Sequence, residues 1–239
     1  QSSMACSDII CEHNMDIGKK ILESVKASMD VVGCNTNLGI ILLCVPIVEA
    51  IYMDKQHKFD QKNLEIVINS IDSKQTKDIY KAIKIANAGG MSSKPVFDLK
   101  NNKSQNFKLI EAMNFAKSYD YIAYEYTNFF NNIINVLAVN WRNNFNFMEN
   151  DEFATTATFL QQISANPDSL IARKYSLSTA EEVSQRFKEI AVEYCALKSP
   201  NILNNKLLLL DSELKIQGLN PGTTADVVVA SIFLNRLGL

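Results

Sequence analysis

The most constraining feature of this sequence is that apolar residues recur at the spacing of an α-helix along nearly its whole length. One example is the series Ile17, Ile21, Val25 and Met29, in which each residue lies about one turn after the last. Alternating patterns typical of strands are scarce, and only 8 glycines and 5 prolines interrupt the 239 residues. Sparse interruption favours helices joined by short connections over a many-stranded sheet. The sequence therefore predicts an all-α fold, with one multihelical domain over residues 1–239.

One segment, Leu38–Met53, is far more apolar than the rest of the chain. It contains Pro46 and Glu49 and is shorter than the roughly 20 residues that a membrane span requires, so we predict a buried central helix and no membrane contact. Ser178–Glu181 predicts a capping box before a later helix, and Gly89–Gly90 predicts the end of another. The predicted helices cover residues 15–32, 37–54, 60–71, 74–88, 105–119, 121–149, 152–164, 167–176, 179–198, 201–217 and 223–237. Residues 90–105 are polar and predict a lid or linker.

Composition excludes several classes of function. A formal net charge of -2 predicts no basic surface for nucleic acid. The 5 cysteines form no C-x-x-C pair and, together with a start that does not resemble a signal peptide, predict reduced thiols and a cytoplasmic location. Only 2 histidines are present, which excludes a multi-histidine metal site.

The first candidate binding segment is the polar run that precedes the apolar helix. Asn35, Thr36, Asn37 and Gly39 lie where a helix N-terminus leaves unpaired N–H groups and partial positive charge. Such a start can hold phosphate or sugar hydroxyls. Simple N-capping by Asn or Thr is the alternative interpretation.

A second polar segment, Asn220–Asp226, opens the last apolar helix. Gly222 would let a ligand approach the backbone, and Thr223 or Thr224 would cap the helix or contact phosphate. Asp226 lies where a carboxylate could hold Mg²⁺ through oxygen. The alternative is that Thr223 and Asp226 form a capping box, which requires no ligand.

The third candidate segment places an acid before two bases at helical spacing. Asp168 is a candidate metal ligand and catalytic residue, and Arg173 and Lys174 would neutralise phosphate oxygens. An Asp cap on an exposed helix with solvated bases is equally compatible with the pattern. In an aromatic stretch nearby, Glu125 is, with Glu111, a candidate general base.

Five blocks taken in order resemble the triphosphoribosyl-dephospho-coenzyme A synthase family. They are GCNTNLGIILLCVPI, DIYKAIKIANAGGM, LIEAMNFAKSYDYIAYEY, NPDSLIARK and LNPGTTADVVVASIF. The resemblance covers about residues 17–235, and its most specific part is the ordered pair NTNLG and NPGTTAD. Two departures stand out: the family's N-terminal Lys-Pro-Gly segment has no counterpart before Met15, and ARKY replaces a His-Arg-Gly-Gly run.

The resemblance implies an all-α, Mg²⁺-dependent transferase that moves the triphosphoribosyl unit of ATP, as substrate, to a hydroxyl of dephospho-coenzyme A and releases adenine. The segments VGCNTNLGIILLC and NPDSLIARK are closer to a branch associated with tetrahydromethanopterin and methanofuran synthesis in one-carbon metabolism. The alternative is therefore ribosyl transfer to a pterin-side-chain alcohol or another cofactor precursor, with ATP or phosphoribosyl pyrophosphate as donor. A non-catalytic nucleotide-binding protein is a second alternative. The expected partners are small molecules, and a homodimer is left open.

Overall fold

The computed structural model describes residues 1–87 and 107–238, and every regular element in these ranges is helical. The all-α prediction is confirmed. The chain forms two compact units: the first contains residues 1–118, 122–130 and 236–239, and the second contains residues 119–121 and 131–235. The expectation of a single domain stays a prediction. Across the described ranges, each helix is too short or too polar to cross a lipid bilayer.

Within residues 1–87 and within residues 107–238, the helices follow one another with short connections. The first unit holds α1 (Ser2–Ile10), α2 (Ile17–Val32), α3 (Leu38–Tyr52), α4 (Gln61–Ser70), α5 (Ser73–Ile85), α6 (Leu109–Ala116) and all but the first residue of α7 (Tyr121–Thr127). The second unit holds a π-helical segment (Ile133–Leu137), α8 (Ala138–Met148), α9 (Asp151–Ala165), α10 (Ser169–Lys174), α11 (Leu177–Tyr194), a 3-10 turn (Pro200–Leu203), α12 (Asn204–Ile216) and α13 (Gly222–Arg236) except its last residue.

Helix α3 is the buried core of the first unit, as its composition predicted. Every residue from 41 to 48 is buried, including Pro46 in the helix interior. Proline has no N–H, so the carbonyl of Leu42, one turn earlier, receives no helical hydrogen bond from residue 46. The hydroxyl of Tyr126 donates to this carbonyl at 2.6 Å instead. A side chain therefore replaces the donor that proline removes.

The core of the second unit forms where α9 packs against α8 and α11. Leu160 and Ile163 of α9 are fully buried in the same cluster as Phe187 and Tyr194 of α11. The hydroxyl of Ser184 donates to the carbonyl of Ile163 at 2.6 Å, which ties the two helices together through a polar contact. Helix α10 packs on α11, so this core fixes the position of α10 within the unit.

The prediction of one helix over residues 121–149 is wrong. Helix α7 ends at Thr127, and Phe129 and Phe130 adopt positive φ angles of 51° and 57°. This left-handed backbone costs about 1–2 kcal/mol per residue. Burial of Phe130, whose ring meets that of Tyr126 edge-on with centroids 5.1 Å apart, offsets the cost. Sequence periodicity did not reveal the break because the aromatic residues continue the apolar pattern.

Two further helix starts differ from expectation. The capping box predicted at Ser178 is wrong: α11 begins at Leu177, and its N-cap Ser176 accepts a hydrogen bond from the Thr179 N–H at 3.0 Å. Helix α1 was not predicted, because its short sequence buries only Cys6 and is held by packing on α2. The predicted stop at Gly89–Gly90 and the predicted lid over residues 90–105 lie outside the described residues.

Candidate active site

In the second unit, the carboxylate of Asp168 caps two helices at once, and we call this arrangement the shared cap. Its Oδ1 atom accepts from the N–H groups of Leu170 and Ile171 at 2.8 and 3.1 Å, at the start of α10. Its Oδ2 atom accepts from the N–H and the hydroxyl of Thr224, both at 2.8 Å, at the start of α13. Asp168 is 2% exposed. The shared cap therefore joins the starts of two helices through residues that are 56 positions apart, Asp168 and Thr224.

The four hydrogen bonds occupy the acceptor positions of the Asp168 carboxylate, because each oxygen has two lone pairs. Burial raises the pKa of Asp168, and the hydrogen bonds from Thr224, Ile171 and Leu170 oppose that rise. A metal ion could reach Asp168 only by displacing one of these donors. The role of Asp168 as metal ligand stays a prediction, and the geometry shows a cap.

A network of hydroxyl groups lies beside the shared cap. The Ser169 hydroxyl donates to the hydroxyl of Thr223 at 3.2 Å and accepts from the backbone N–H of Tyr121 at 3.1 Å. Asn132 donates in turn to the Tyr121 hydroxyl. The contact between Ser169 and Thr223 is a second link between α10 and α13.

These groups line a polar pocket with a volume of about 10 Å³. Its lining residues are Tyr121, Gln162, Asn166, Pro167, Asp168, Ser169, Thr223 and Thr224. A space of this size holds about one water molecule or one small ion. The pocket therefore offers a polar contact point rather than room for a nucleotide.

Arg173, on α10, forms an ion pair with Asp120. Both side chains are only partly exposed, at 17% and 27%, so water screens this pair less than a surface pair. The guanidinium of Arg173 also lies 3.5 Å from the Ser169 hydroxyl. The sequence assigned no role to Asp120, because nothing in its local pattern indicates a partner 53 residues later.

The pKa of the Asp226 carboxyl lies well above the ordinary value for an aspartate. Burial raises its pKa to about 7, the negative charges of Asp168 and Asp120 add to the rise, and Arg173 opposes it. Within the described residues no hydrogen bond reaches its side chain, so the predicted capping box between Thr223 and Asp226 is absent; Thr223 bonds to Ser169 instead. Asp226 is thus the acid whose oxygens remain available to a ligand.

Three other residues predicted in this segment or on α10 have different surroundings. Gly222 leaves little room for a ligand, because a Cβ atom there would lie 3.0 Å from the Leu170 Cδ2 atom. Asn220 and Lys174 are exposed at the surface of the same unit. Close packing on Leu170 accounts for Gly222 without a ligand, and the binding roles of Asn220 and Lys174 stay predictions.

The polar segment before α3 lies in the first unit and is used largely for internal contacts. The buried Asn37 accepts from the Ser28 hydroxyl at 2.7 Å and lies 3.8 Å from the Cys6 sulfur. Asn35 accepts from the Leu38 N–H at 3.1 Å, but the N-cap position of α3 is Asn37, whose side chain makes no capping hydrogen bond. The capping role and the binding role of this segment both stay predictions. Thr36 is exposed, Gly39 is buried, and their part in nucleotide binding stays a prediction.

Glu125, the candidate base, is fully buried in α7 of the first unit. Its catalytic role also stays a prediction. In residues 1–87 and 107–238, no three Asp, Glu, His or Cys side chains are arranged as a metal site. A protein cage for a metal ion is therefore not present in the described part of the chain.

Comparison of the sequence with known protein families identifies a match over the whole chain. A model of the family described as CitG, ATP:dephospho-CoA triphosphoribosyl transferase, matches residues 1–239, the whole sequence. The chain belongs to this triphosphoribosyl transferase family. The family resemblance expected from the sequence motifs is confirmed, and the chain is a transferase of this family. No curated protein matches the chain.

A solved structure supports the fold of the triphosphoribosyl transferase family. It is a protein of Archaeoglobus fulgidus with a provisional assignment as triphosphoribosyl-dephospho-CoA synthase. The TM-score is 0.76 at 22% sequence identity, and the match covers 99% of this chain and 97% of the other. At this identity the similarity establishes the shared helical fold, and the roles of individual residues have to be argued from this chain.

Proposed function

We propose that this transferase moves the triphosphoribosyl unit of ATP to a ribose hydroxyl of dephospho-coenzyme A, and that the carboxylates around the shared cap form part of its site. The family match carries the reaction type. The grouping of Asp120, Asp168 and Asp226 with Arg173 supports the location, since buried acids with perturbed pKa values cluster at functional sites.

The reaction exchanges one bond for another at the anomeric carbon of the ATP ribose. The acceptor hydroxyl oxygen forms a bond to C1′, and the bond from C1′ to the adenine nitrogen breaks. The electron pair of that bond leaves with adenine, which takes up a proton, and the acceptor hydroxyl loses its proton to a base. Such displacements pass through a state with oxocarbenium character, so the enzyme must orient both substrates and compensate the triphosphate charge.

Carboxylate chemistry fits a magnesium ion at Asp226. Magnesium takes oxygen ligands and commonly uses one or two carboxylates together with substrate phosphates and water, so a cage of three acids is not required. Asp226 would hold the ion, because the acceptor positions of Asp168 are filled by the shared cap. When bound, magnesium would neutralise part of the triphosphate charge.

The chain's own residues then have distinct tasks. Arg173 has five N–H donors, and its pairing with Asp120 holds the guanidinium near Ser169 while other donors remain able to bind phosphate. Asp168 acts as a positioning residue, since it fixes the start of the helix that carries Asp226.

The decisive experiment supplies the purified protein with ATP, dephospho-coenzyme A and Mg²⁺ and measures adenine release by chromatography. We expect turnover that Asp226→Asn reduces at least about 100-fold, since an electrostatic contact to the reacting charge contributes that much. Asp30→Asn, an exposed acid on α2, is the matched control. Adenine release unchanged in Asp226→Asn would contradict the assignment of Asp226.

A pterin-side-chain alcohol is the second candidate acceptor. It is favoured by the resemblance of the segment VGCNTNLGIILLC to the branch associated with tetrahydromethanopterin synthesis. Product formation with each acceptor in turn, measured with ATP and with phosphoribosyl pyrophosphate as donor, distinguishes the two reactions. Calorimetry addresses the other alternative: ATP binding without adenine release for either acceptor would favour a non-catalytic nucleotide-binding protein.

A further inference from the structure

Helix α12 in the second unit has apolar residues on two opposite sides. Leu210 and Leu214 are buried in the core, at 5% and 3% exposure. Leu208, Leu209 and Ile216 are 63%, 62% and 87% exposed. With 3.6 residues per turn, the buried pair and the exposed three residues lie on opposite sides of the helix. We call the exposed side, with Ser212 at its centre, the outer face.

The outer face is unusual for a helix at the surface. Surface helices normally present charged and polar residues on the side away from the core, whereas helices that are apolar all round are covered on both sides. A set of neighbouring exposed large apolar residues, bordered by charges, is typical of a protein interaction site. The sequence NNKLLLLDSELKI therefore predicts a partner for α12 beyond its own core.

A groove of about 240 Å³ runs beside the outer face, between α11 and α12. Ile190, Leu209 and Leu210 form its apolar part. Its volume lies below the roughly 300–1,000 Å³ of small-molecule pockets, so it suits inserted side chains better than a nucleotide or coenzyme. The same surface thus offers a projecting ridge at Leu208 and Leu209 and a groove next to it.

The charges around this surface are balanced. Three ion pairs border it: Arg186–Glu213, Lys206–Glu193 and Lys215–Asp211. In a symmetric dimer the same surface faces itself, so a rim of one sign would repel its own copy, whereas alternating signs can pair across the two-fold axis. A strongly basic or acidic partner would find no opposite field here.

From the exposed ridge, the adjacent groove and the balanced rim, we infer that the outer face of α12 is the interface with a second copy of this chain. The interface is isologous: Leu208 and Leu209 of each protomer insert beside the groove of the other. The carboxylates around the shared cap do not take part in it, so this inference stands apart from the proposed reaction.

Sedimentation velocity over a range of protein concentrations tests the interface. We expect a species of twice the 26.8 kDa chain mass, and Leu209→Lys should raise its dissociation constant at least about tenfold, because a buried charge replaces an apolar contact. Leu177→Lys, which changes a side chain that is 60% exposed on α11, should leave the dimer unchanged. A wild-type chain that stays monomeric at every concentration, or equal effects of both variants, overturns the inference.

A cross-linking experiment gives an independent test. Ser212→Cys, in a protein whose exposed Cys11 and Cys34 are changed to Ser, places one thiol at the centre of the outer face. Mild oxidation should produce a disulfide-linked dimer rapidly from Ser212→Cys and slowly from Ser70→Cys, an exposed position on α4. Equal rates for the two variants would contradict the proposed geometry. Circular dichroism of each variant confirms that the helices are intact.

Discussion

Asp168 and Thr224 are joined by two hydrogen bonds of 2.8 Å to a single carboxylate oxygen, one from the backbone N–H and one from the hydroxyl. A residue that looks like a local N-cap in the sequence therefore also caps a second helix, through Thr224, 56 residues later. This relationship links the two motifs NPDSLIARK and NPGTTAD, and it brings Asp226 into the same electrostatic environment as Asp168 and Asp120.

Removal of the shared cap should destabilise the protein more than removal of an ordinary cap. We expect Asp168→Ala to lower the free energy of unfolding by at least about 3 kcal/mol, because buried N–H groups lose their acceptor at two helix starts. Asp60→Ala is the control: Asp60 caps only α4 at an exposed site, and its loss should cost about 1 kcal/mol. Urea unfolding of both variants measures the difference, and equal losses would show that Asp168 acts as a single cap.

Substitution of Asp226 should stabilise the metal-free protein in a pH-dependent way. The pKa of Asp226 is about 7 in the folded state and 3.8 as the reference value, so the folded state holds a proton that the unfolded state loses. Stability contributed by this group therefore falls as pH rises from about 4 to 7, by up to about 4 kcal/mol. In EDTA, Asp226→Asn should raise the unfolding free energy at pH 8 and change it little at pH 4. The same gain at both pH values would contradict the shift.

Loss of Arg173 should move the titration of Asp226 to higher pH. Arg173 lowers the pKa of Asp226, and without it the negative charge of Asp120 also loses its ion-pair partner. In Arg173→Ala, the decline of stability with pH should therefore continue above pH 7, beyond where it levels off in the wild type. Thermal unfolding measured from pH 5 to 9 tests this. Lys188→Ala, an exposed base on α11, should leave the curve unchanged.

The hydroxyl of Tyr126 and the missing N–H of Pro46 should show energetic coupling. Tyr126→Phe leaves the buried Leu42 carbonyl without its donor and should cost about 1–3 kcal/mol. In a Pro46→Ala background the new N–H can donate to the same carbonyl, so Tyr126→Phe should cost less there. Denaturant unfolding of the four proteins in a double-mutant cycle measures the coupling. Equal costs in the two backgrounds would show that Tyr126 and Pro46 are not energetically coupled.

Helical periodicity and one apolar segment were sufficient to predict the all-α fold and the buried α3, because helix formation depends on local spacing. The break at Phe129 and Phe130 could not be predicted, since left-handed backbone at two phenylalanines is stabilised by tertiary burial against Tyr126. For the candidate site, local pattern indicated Asp168 and Asp226 but not Asp120. Long-range partners such as Thr224 for Asp168 leave no local signal, because each segment alone resembles an ordinary helix start.

Pro46 has a consequence for the order in which the chain can fold. The carbonyl of Leu42 receives its donor from a residue that lies 84 positions later in the sequence. During synthesis, the most apolar helix of the protein is therefore complete in sequence long before its backbone hydrogen bonding is complete. Until Tyr126 has been synthesised, only water can donate a hydrogen bond to the Leu42 carbonyl. This part of α3 therefore stays accessible to solvent until then. A single proline thus delays the exclusion of the last water from the core of the first unit.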